Sequence, residues 1–208
     1  MNKCIILLFI IFILICYFYY SIENFKKSKN DIYYIEDFFT PNEFELISNH
    51  LKNIPRKSLK NEKFRLVSTL DNKMISNILY SQQNINKINK IVGKELFKSD
   101  FPIEYRIYPT KSPGMRCHTD TLLYDLPQYE VVLTISNSSD SFTNWYSYNN
   151  DEHKIYTKPN SLLLVKAKGN IHCVSPINKG KRSIIKYIYT QSNRYNSNYI
   201  RELKRFNK

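Results

Sequence analysis

Met115-Arg116-Cys117-His118-Thr119-Asp120 is a short extended run ending in a histidine and an aspartate two residues apart. Side chains of a strand alternate between its faces, so His118 and Asp120 leave the same face and can grip one ion. The surrounding sequence keeps this character. Segments rich in Val, Ile, Tyr and Thr recur at 103–108, 130–135, 153–157, 161–165, 171–175 and 182–190, each short enough for a strand. Turn formers separate them, among them Ser112-Pro113-Gly114, Asn149-Asn150-Asp151, Gly169-Asn170 and Asn178-Lys179-Gly180.

Upstream the period changes. Residues 31–38 read as one strand, and Phe39-Thr40-Pro41-Asn42-Glu43-Phe44 then opens a helix. Thr40 and Glu43 can form a capping box, Pro41 suits the first helical position, and Phe39 can staple onto Phe44. Ile47 and Leu51 continue the buried stripe. A second helix is expected over 72–92, where Ile75, Ile78, Leu79, Ile85, Ile88 and Ile91 recur at helical spacing and Gly93 can close it. Helices first and strands afterwards predict an α+β fold whose second half is a sandwich or barrel.

The chain has 208 residues, 42% hydrophobic and 14% aromatic, which excludes a disordered polymer and suits one folded domain. Its formal charge of +13 invites a nucleic-acid reading. The lysines are scattered among Asn and Ile, so a solvated basic surface is expected and nucleic acid is not the expected partner. Residues 4–20 carry no charge and approach the ~20 apolar residues that span a bilayer. A cleaved signal peptide would need a small-x-small site, which is missing after Tyr17. This divides the chain into a membrane anchor at 1–25, which includes Cys4 and Cys16, a linker at 26–32, a domain at 33–191 and a basic tail at 192–208. Lys26, Lys27 and Lys29 after the span favour a cytoplasmic domain by the positive-inside rule, whereas Asn137-Ser138-Ser139 is a glycosylation acceptor if the domain lies in the lumen of the endoplasmic reticulum. Both orientations stay open, as does the oligomeric state.

His172, one of four histidines, lies in another expected strand and can supply a third ligand. Two histidines and a carboxylate leave three metal positions open, as a non-haem iron oxygenase needs. Arg182 follows ten residues after His172, and a guanidinium there can pair with a dicarboxylate. Tyr108, or Tyr105, can add a hydroxyl. His50 and His153 read as surface residues.

Together, Ile35-Glu36-Asp37-Phe38-Phe39-Thr40-Pro41-Asn42-Glu43, Tyr108 through His118-Thr119-Asp120, and Ile171-His172-Cys173-Val174-Ser175-Pro176 through Gly180-Lys181-Arg182 resemble the prolyl 4-hydroxylase-like 2-oxoglutarate- and iron(II)-dependent dioxygenases. The resemblance covers residues 33–191. It implies N-terminal helices packed on a double-stranded β-helix, with His118, Asp120 and His172 holding Fe(II) and Arg182, assisted by Tyr108, binding 2-oxoglutarate. It further implies hydroxylation of a protein or peptide side chain, proline first, with release of succinate and CO2 and with ascorbate as reductant. Two departures stand out. The collagen-type enzymes carry lysine where Arg182 stands, and their Gly-Gly-Glu-Thr stretch is here Asn137-Ser138-Ser139-Asp140-Ser141-Phe142-Thr143-Asn144-Trp145. Oxidation of alkylated nucleic acid and a non-catalytic binding module are the alternatives. In the family fold the ligand strands are neighbours, so Cys117 and Cys173 come close as free thiols or as a disulfide. Residues 141–151, with Tyr146 and Tyr148, are expected to form a substrate lid, and Trp145 either lines the groove or caps the barrel.

Overall fold

The structure, a computed structural model, describes residues 11–15 and 31–206. Residues 11–15 are helical, and the rest of the expected anchor at 4–20 lies outside the described residues, as does most of the linker. Among the described residues no helix is long and apolar enough to cross a membrane.

After strand β1 (Ile32–Ile35), helix α1 (Pro41–Lys52) starts on the expected capping box. The Thr40 hydroxyl accepts from Glu43 N–H, and the Glu43 carboxylate accepts from Thr40 N–H at 2.9 Å, a cap worth about 1 kcal/mol. Phe39, Ile47 and Leu51 enter the main core, with Phe44 packed against it. The single helix expected over 72–92 is two, α2 (Lys73–Leu79) and α3 (Gln82–Val92). Asn72 caps the first, and Ser81 starts a new one by accepting from Asn84 N–H. Between them Tyr80 packs edge-on against Tyr187 and Tyr189 and donates its hydroxyl to Ile188 C=O. Tertiary packing therefore overrides an unbroken periodic stripe. Gly93 ends α3 at φ +65°, as expected.

The strands are β2 (Lys60–Glu62), β3 (Arg65–Thr69), β4 (Phe97–Lys98), β5 (Glu104–Tyr108), β6 (Met115–His118), β7 (Tyr129–Asn137), β8 (Thr143–Tyr146), β9 (Glu152–Ile155), β10 (Ser161–Lys166), β11 (His172–Val174) and β12 (Arg182–Thr190). A large sheet runs β1-β10-β7-β12-β5-β3-β2, with β4 added to β12, and a small sheet runs β6-β11-β8-β9. Neighbours pair antiparallel in both. Strict alternation divides the labour of the large sheet. Leu162, Leu164, Ile185, Tyr187 and Tyr189 turn to the helices and form the main core. Leu163, Val165, Arg182, Ile184 and Lys186 turn the other way and line a cavity whose opposite wall is the small sheet. This is the α+β jelly-roll architecture expected.

Other regions differ from expectation too. The hairpin β2–β3 was unforeseen. Within 141–151, expected as a substrate lid, residues 143–146 form β8 and residues 147–151 are the turn that joins it to β9 in a hairpin, where Trp145 stacks on His153 at 5.1 Å. Trp145 packs against the Ile32, Leu163 and Val165 cluster, on the same face of the small sheet as His172. The basic tail contains helix α4 (Ser197–Leu203), whose Tyr199 is buried among Phe101, Leu123, Tyr124 and Ile188.

The barrel interior also holds an ion pair. Arg106 donates to both Glu104 oxygens, at 2.6 and 3.0 Å, with both side chains 5% exposed. Burial opposes the Glu104 charge, but Arg106, then Lys186 and Arg205, hold its carboxyl below the ordinary 4.5. A depressed folded-state value means stabilisation that is full above the unfolded value and fades as pH falls through the folded one. Glu104→Gln, which leaves Arg106 buried and unpaired, is expected to cost about 3–5 kcal/mol at neutral pH. Denaturant unfolding across pH checks this, and the gap between the two proteins should narrow in acid.

Candidate metal centre and anion pocket

Strands β6 and β11 pair so that His118 lies directly opposite His172. Their rings stand 4.4 Å apart between centroids. Asp120, just past the end of β6, reaches between them, with one oxygen 3.6 Å from His118 Nε2 and the other 3.7 Å from His172 Nε2. One ligand atom from each of the three lies within 4.8 Å of the others, so this group can hold a metal ion. The donor chemistry fits. His118 Nδ1 meets Arg116 C=O at 2.8 Å and His172 Nδ1 meets Asn170 C=O at 3.3 Å. A carbonyl only accepts, so each ring keeps its proton on Nδ1 and presents the Nε2 lone pair to the centre. The side chain of His172 is 9% exposed and that of His118 34%, so His118 lies on the open side.

The electrostatics follow from these neighbours. The Asp120 carboxylate beside it raises His118, while burial lowers His172. Burial pushes Asp120 up, yet His118, Lys186 and His172 carry it below its ordinary value. On the outer side of the same ladder Cys117 and Cys173 form a disulfide, Cα atoms 4.2 Å apart, which closes the question the sequence left open.

The three side chains open onto a cavity of about 240 Å³. Arg182 lines it from β12, and on β5 its direct partner is Tyr108. Tyr105 faces the helices and bonds Ser183, so strand register selects Tyr108. Arg182 is 5% exposed, its Nε has no hydrogen-bond partner, and among the described residues no carboxylate pairs with it. Burial lowers its guanidinium, and its electrostatic neighbours are Tyr108, Tyr156 and Tyr34. Burial also opposes ionisation of Tyr108, but Arg106, Arg65 and Arg182 bring its phenol below the usual range. An uncompensated buried cation is costly, and a bound anion would relieve it. The unpartnered Thr143 hydroxyl lines the same cavity and is free to bond such a ligand.

Reading the sequence missed Lys186, which contacts Glu130 inside this cavity and lies close enough to Asp120 to lower it. Its signal was the alternation Arg182, Ile184, Lys186, which puts all three on one strand face. Asn137, read as a glycosylation acceptor, spends its side chain internally: the amide donates to Thr157 C=O and its oxygen accepts from Ser139.

No family model matches the chain, and no curated protein does. Solved structures do. An oxidoreductase of the 2OG-Fe(II) oxygenase family from Burkholderia pseudomallei aligns with TM-score 0.66 and 12% identity over 79% of this chain and 86% of its own. The chain has the 2OG-Fe(II) oxygenase fold. A prolyl-4-hydroxylase from Pseudomonas putida aligns with TM-score 0.64 and 14% identity, covering 80% of this chain and 95% of that one. A prolyl hydroxylase from Trichoplax adhaerens, in complex with a hypoxia inducible factor oxygen degradation domain peptide fragment, aligns with TM-score 0.56 and 15% identity over 84% and 93%.

Proposed function

We propose that this protein is a 2-oxoglutarate- and Fe(II)-dependent dioxygenase that hydroxylates a protein or peptide side chain, with proline the first candidate. The observation that carries the reading is the joint presence, in one cavity, of the His118, Asp120 and His172 cluster and a buried Arg182 that has no counter-ion among the described residues. His118 and His172, through Nε2, and a carboxylate oxygen of Asp120 would hold the iron on one face and leave three positions for co-substrates. When bound, iron with 2-oxoglutarate and O2 supplies the oxidation: one oxygen atom enters the substrate C–H bond as hydroxyl, the other enters succinate, and CO2 leaves.

The chain's own groups bind and orient. Arg182 pairs with the distal carboxylate of 2-oxoglutarate, and Tyr108 donates a hydrogen bond to it. Val132, Leu163, Val165 and Ile184 give the cavity dry walls, which exclude water and strengthen those contacts. Ascorbate is the external reductant that keeps the metal ferrous. The relatives bearing prolyl hydroxylase names, one holding a peptide, support a peptide substrate.

The apolar run at 4–20 would anchor the domain to a bilayer. The Cys117–Cys173 disulfide favours a lumenal, oxidising side over the cytoplasm. In sealed microsomes from expressing cells, a lumenal domain is protected from added protease until detergent is present, and cleavage without detergent would reject this orientation.

The catalytic reading is tested with the full chain in detergent, Fe(II), ascorbate and 2-oxoglutarate, following succinate. Arg182→Met is expected to raise the 2-oxoglutarate KM by about 100-fold, the loss of a charge-assisted pair. It should also stabilise the ligand-free protein by about 1–3 kcal/mol, because an unpaired buried charge is gone. Unchanged KM in the variant would contradict the role of Arg182, and no succinate from either protein would contradict the dioxygenase reading.

A further inference from the structure

The metal cavity does not end at its own walls. Arg65, Tyr108, Ser112, Gly114, Met115 and Arg205 line both it and an adjoining open groove of about 690 Å³. One bank of the groove is the β2–β3 hairpin, bearing Lys60, Lys63 and Arg65, and the other is α4 with the turn after it, bearing Arg201, Lys204 and Arg205. Against these six cations the groove's lining holds one carboxylate, Glu62.

Local pairing covers the three arginines and leaves Lys63 and Lys204 over. Glu62 pairs with Arg65 at 3.3 Å, Glu202 serves both Arg205 at 3.2 Å and Arg201 at 3.9 Å, and Glu104 also lies 3.7 Å from Arg205. Lys63 and Lys204, one on each bank, have no carboxylate within ion-pair distance among the described residues. Between Lys63 and Arg65, at the hairpin tip, Phe64 is 56% exposed.

We infer that this groove receives an acidic polypeptide segment and that the flanking cations select it as the substrate of the adjoining site. The inference rests on the dioxygenase reading only for the word substrate; the groove and its charge stand without it. A strand of polypeptide is favoured over nucleic acid for two reasons. Strand β2 ends the large sheet, and an edge strand accepts an extended backbone by adding one more strand. Single-stranded nucleic acid instead asks for a succession of stacking platforms, and this groove's lining offers an exposed Phe64 and a Tyr108 that faces into the cavity. Carboxylates on the segment would meet Lys63 and Lys204 from opposite sides, with an apolar side chain against Phe64.

The test is fluorescence anisotropy of the full chain in non-ionic detergent, without metal or 2-oxoglutarate. Three labelled probes are compared: a short proline-centred peptide of alternating Glu and Ala, the same peptide with Gln for every Glu, and an oligothymidylate of equal length. At low salt the Glu peptide is expected to bind about tenfold or more tightly than the Gln peptide, with the gap closing as salt rises, as screened charge pairs require. Lys63→Glu with Lys204→Glu should remove that preference while leaving the circular dichroism spectrum unchanged. Equal binding of the two peptides would overturn the inference, and so would tighter binding of the oligonucleotide. Because succinate formation is read separately, loss of the Glu-peptide preference leaves the dioxygenase reading untouched, and absence of succinate leaves the groove assignment untouched.

Discussion

The position of His118 directly opposite His172 is the constraint on which the site depends. Side chains on paired strands alternate with a period of two, so a slip of one residue in either strand would turn one imidazole to the outside and dissolve the cluster. The ladder between β6 and β11 is short and shifts register just beyond His172, so backbone pairing holds it over few residues. The Cys117–Cys173 disulfide ties the same two strands one step away, on the face opposite the imidazoles. The bonds from both Nδ1 atoms to backbone carbonyls then fix ring orientation and tautomer.

Charge inside the barrel separates structure from function. The cavity face of the large sheet carries Glu104, Arg106, Glu130, Arg182 and Lys186, where a simple jelly roll would place aliphatic side chains. Glu104 closes on Arg106 and Glu130 on Lys186, so each charge has a partner. Arg182 has none. Buried ion pairs roughly balance desolvation against attraction, whereas a lone buried charge does not. Within one sheet face, therefore, the satisfied pairs contrast with a guanidinium that the proposed 2-oxoglutarate carboxylate would satisfy. Lys186 links the two roles, since it is held by Glu130 and also acts on Asp120.

Much of this was legible in the residues. The capping box at Thr40 and Glu43, the left-handed stop at Gly93 and the run of β-rich segments each reflect local chemistry, and each element formed where its signals lie. Strand alternation pointed to His118 and Asp120 as a pair, and the family resemblance to His172 and Arg182, whereas the choice between Tyr108 and Tyr105 needed the register of β5 against β12. What stayed hidden depends on tertiary partners. Lys60-Asn61-Glu62 has no apolar alternation and becomes a strand only because β3 pairs with it. The break at Tyr80 and Ser81 comes from tyrosines more than a hundred residues away, as the 108-residue separation of the Tyr80 bond to Ile188 illustrates. Helix α4 buries Tyr199 in a mostly polar sequence, too thin a stripe to show as a period. The Glu104–Arg106 pair reads as surface charge until β5 is seen between β12 and β3.

In the proposed reaction one cavity would hold iron through His118, Asp120 and His172 and 2-oxoglutarate through Arg182. Its most direct test is the visible spectrum of the full chain in detergent under anaerobic conditions, with Fe(II) and 2-oxoglutarate added and His172→Ala as control. A weak charge-transfer band that needs both additions and vanishes in the variant is expected. A folded protein that binds iron and shows no such band would contradict it.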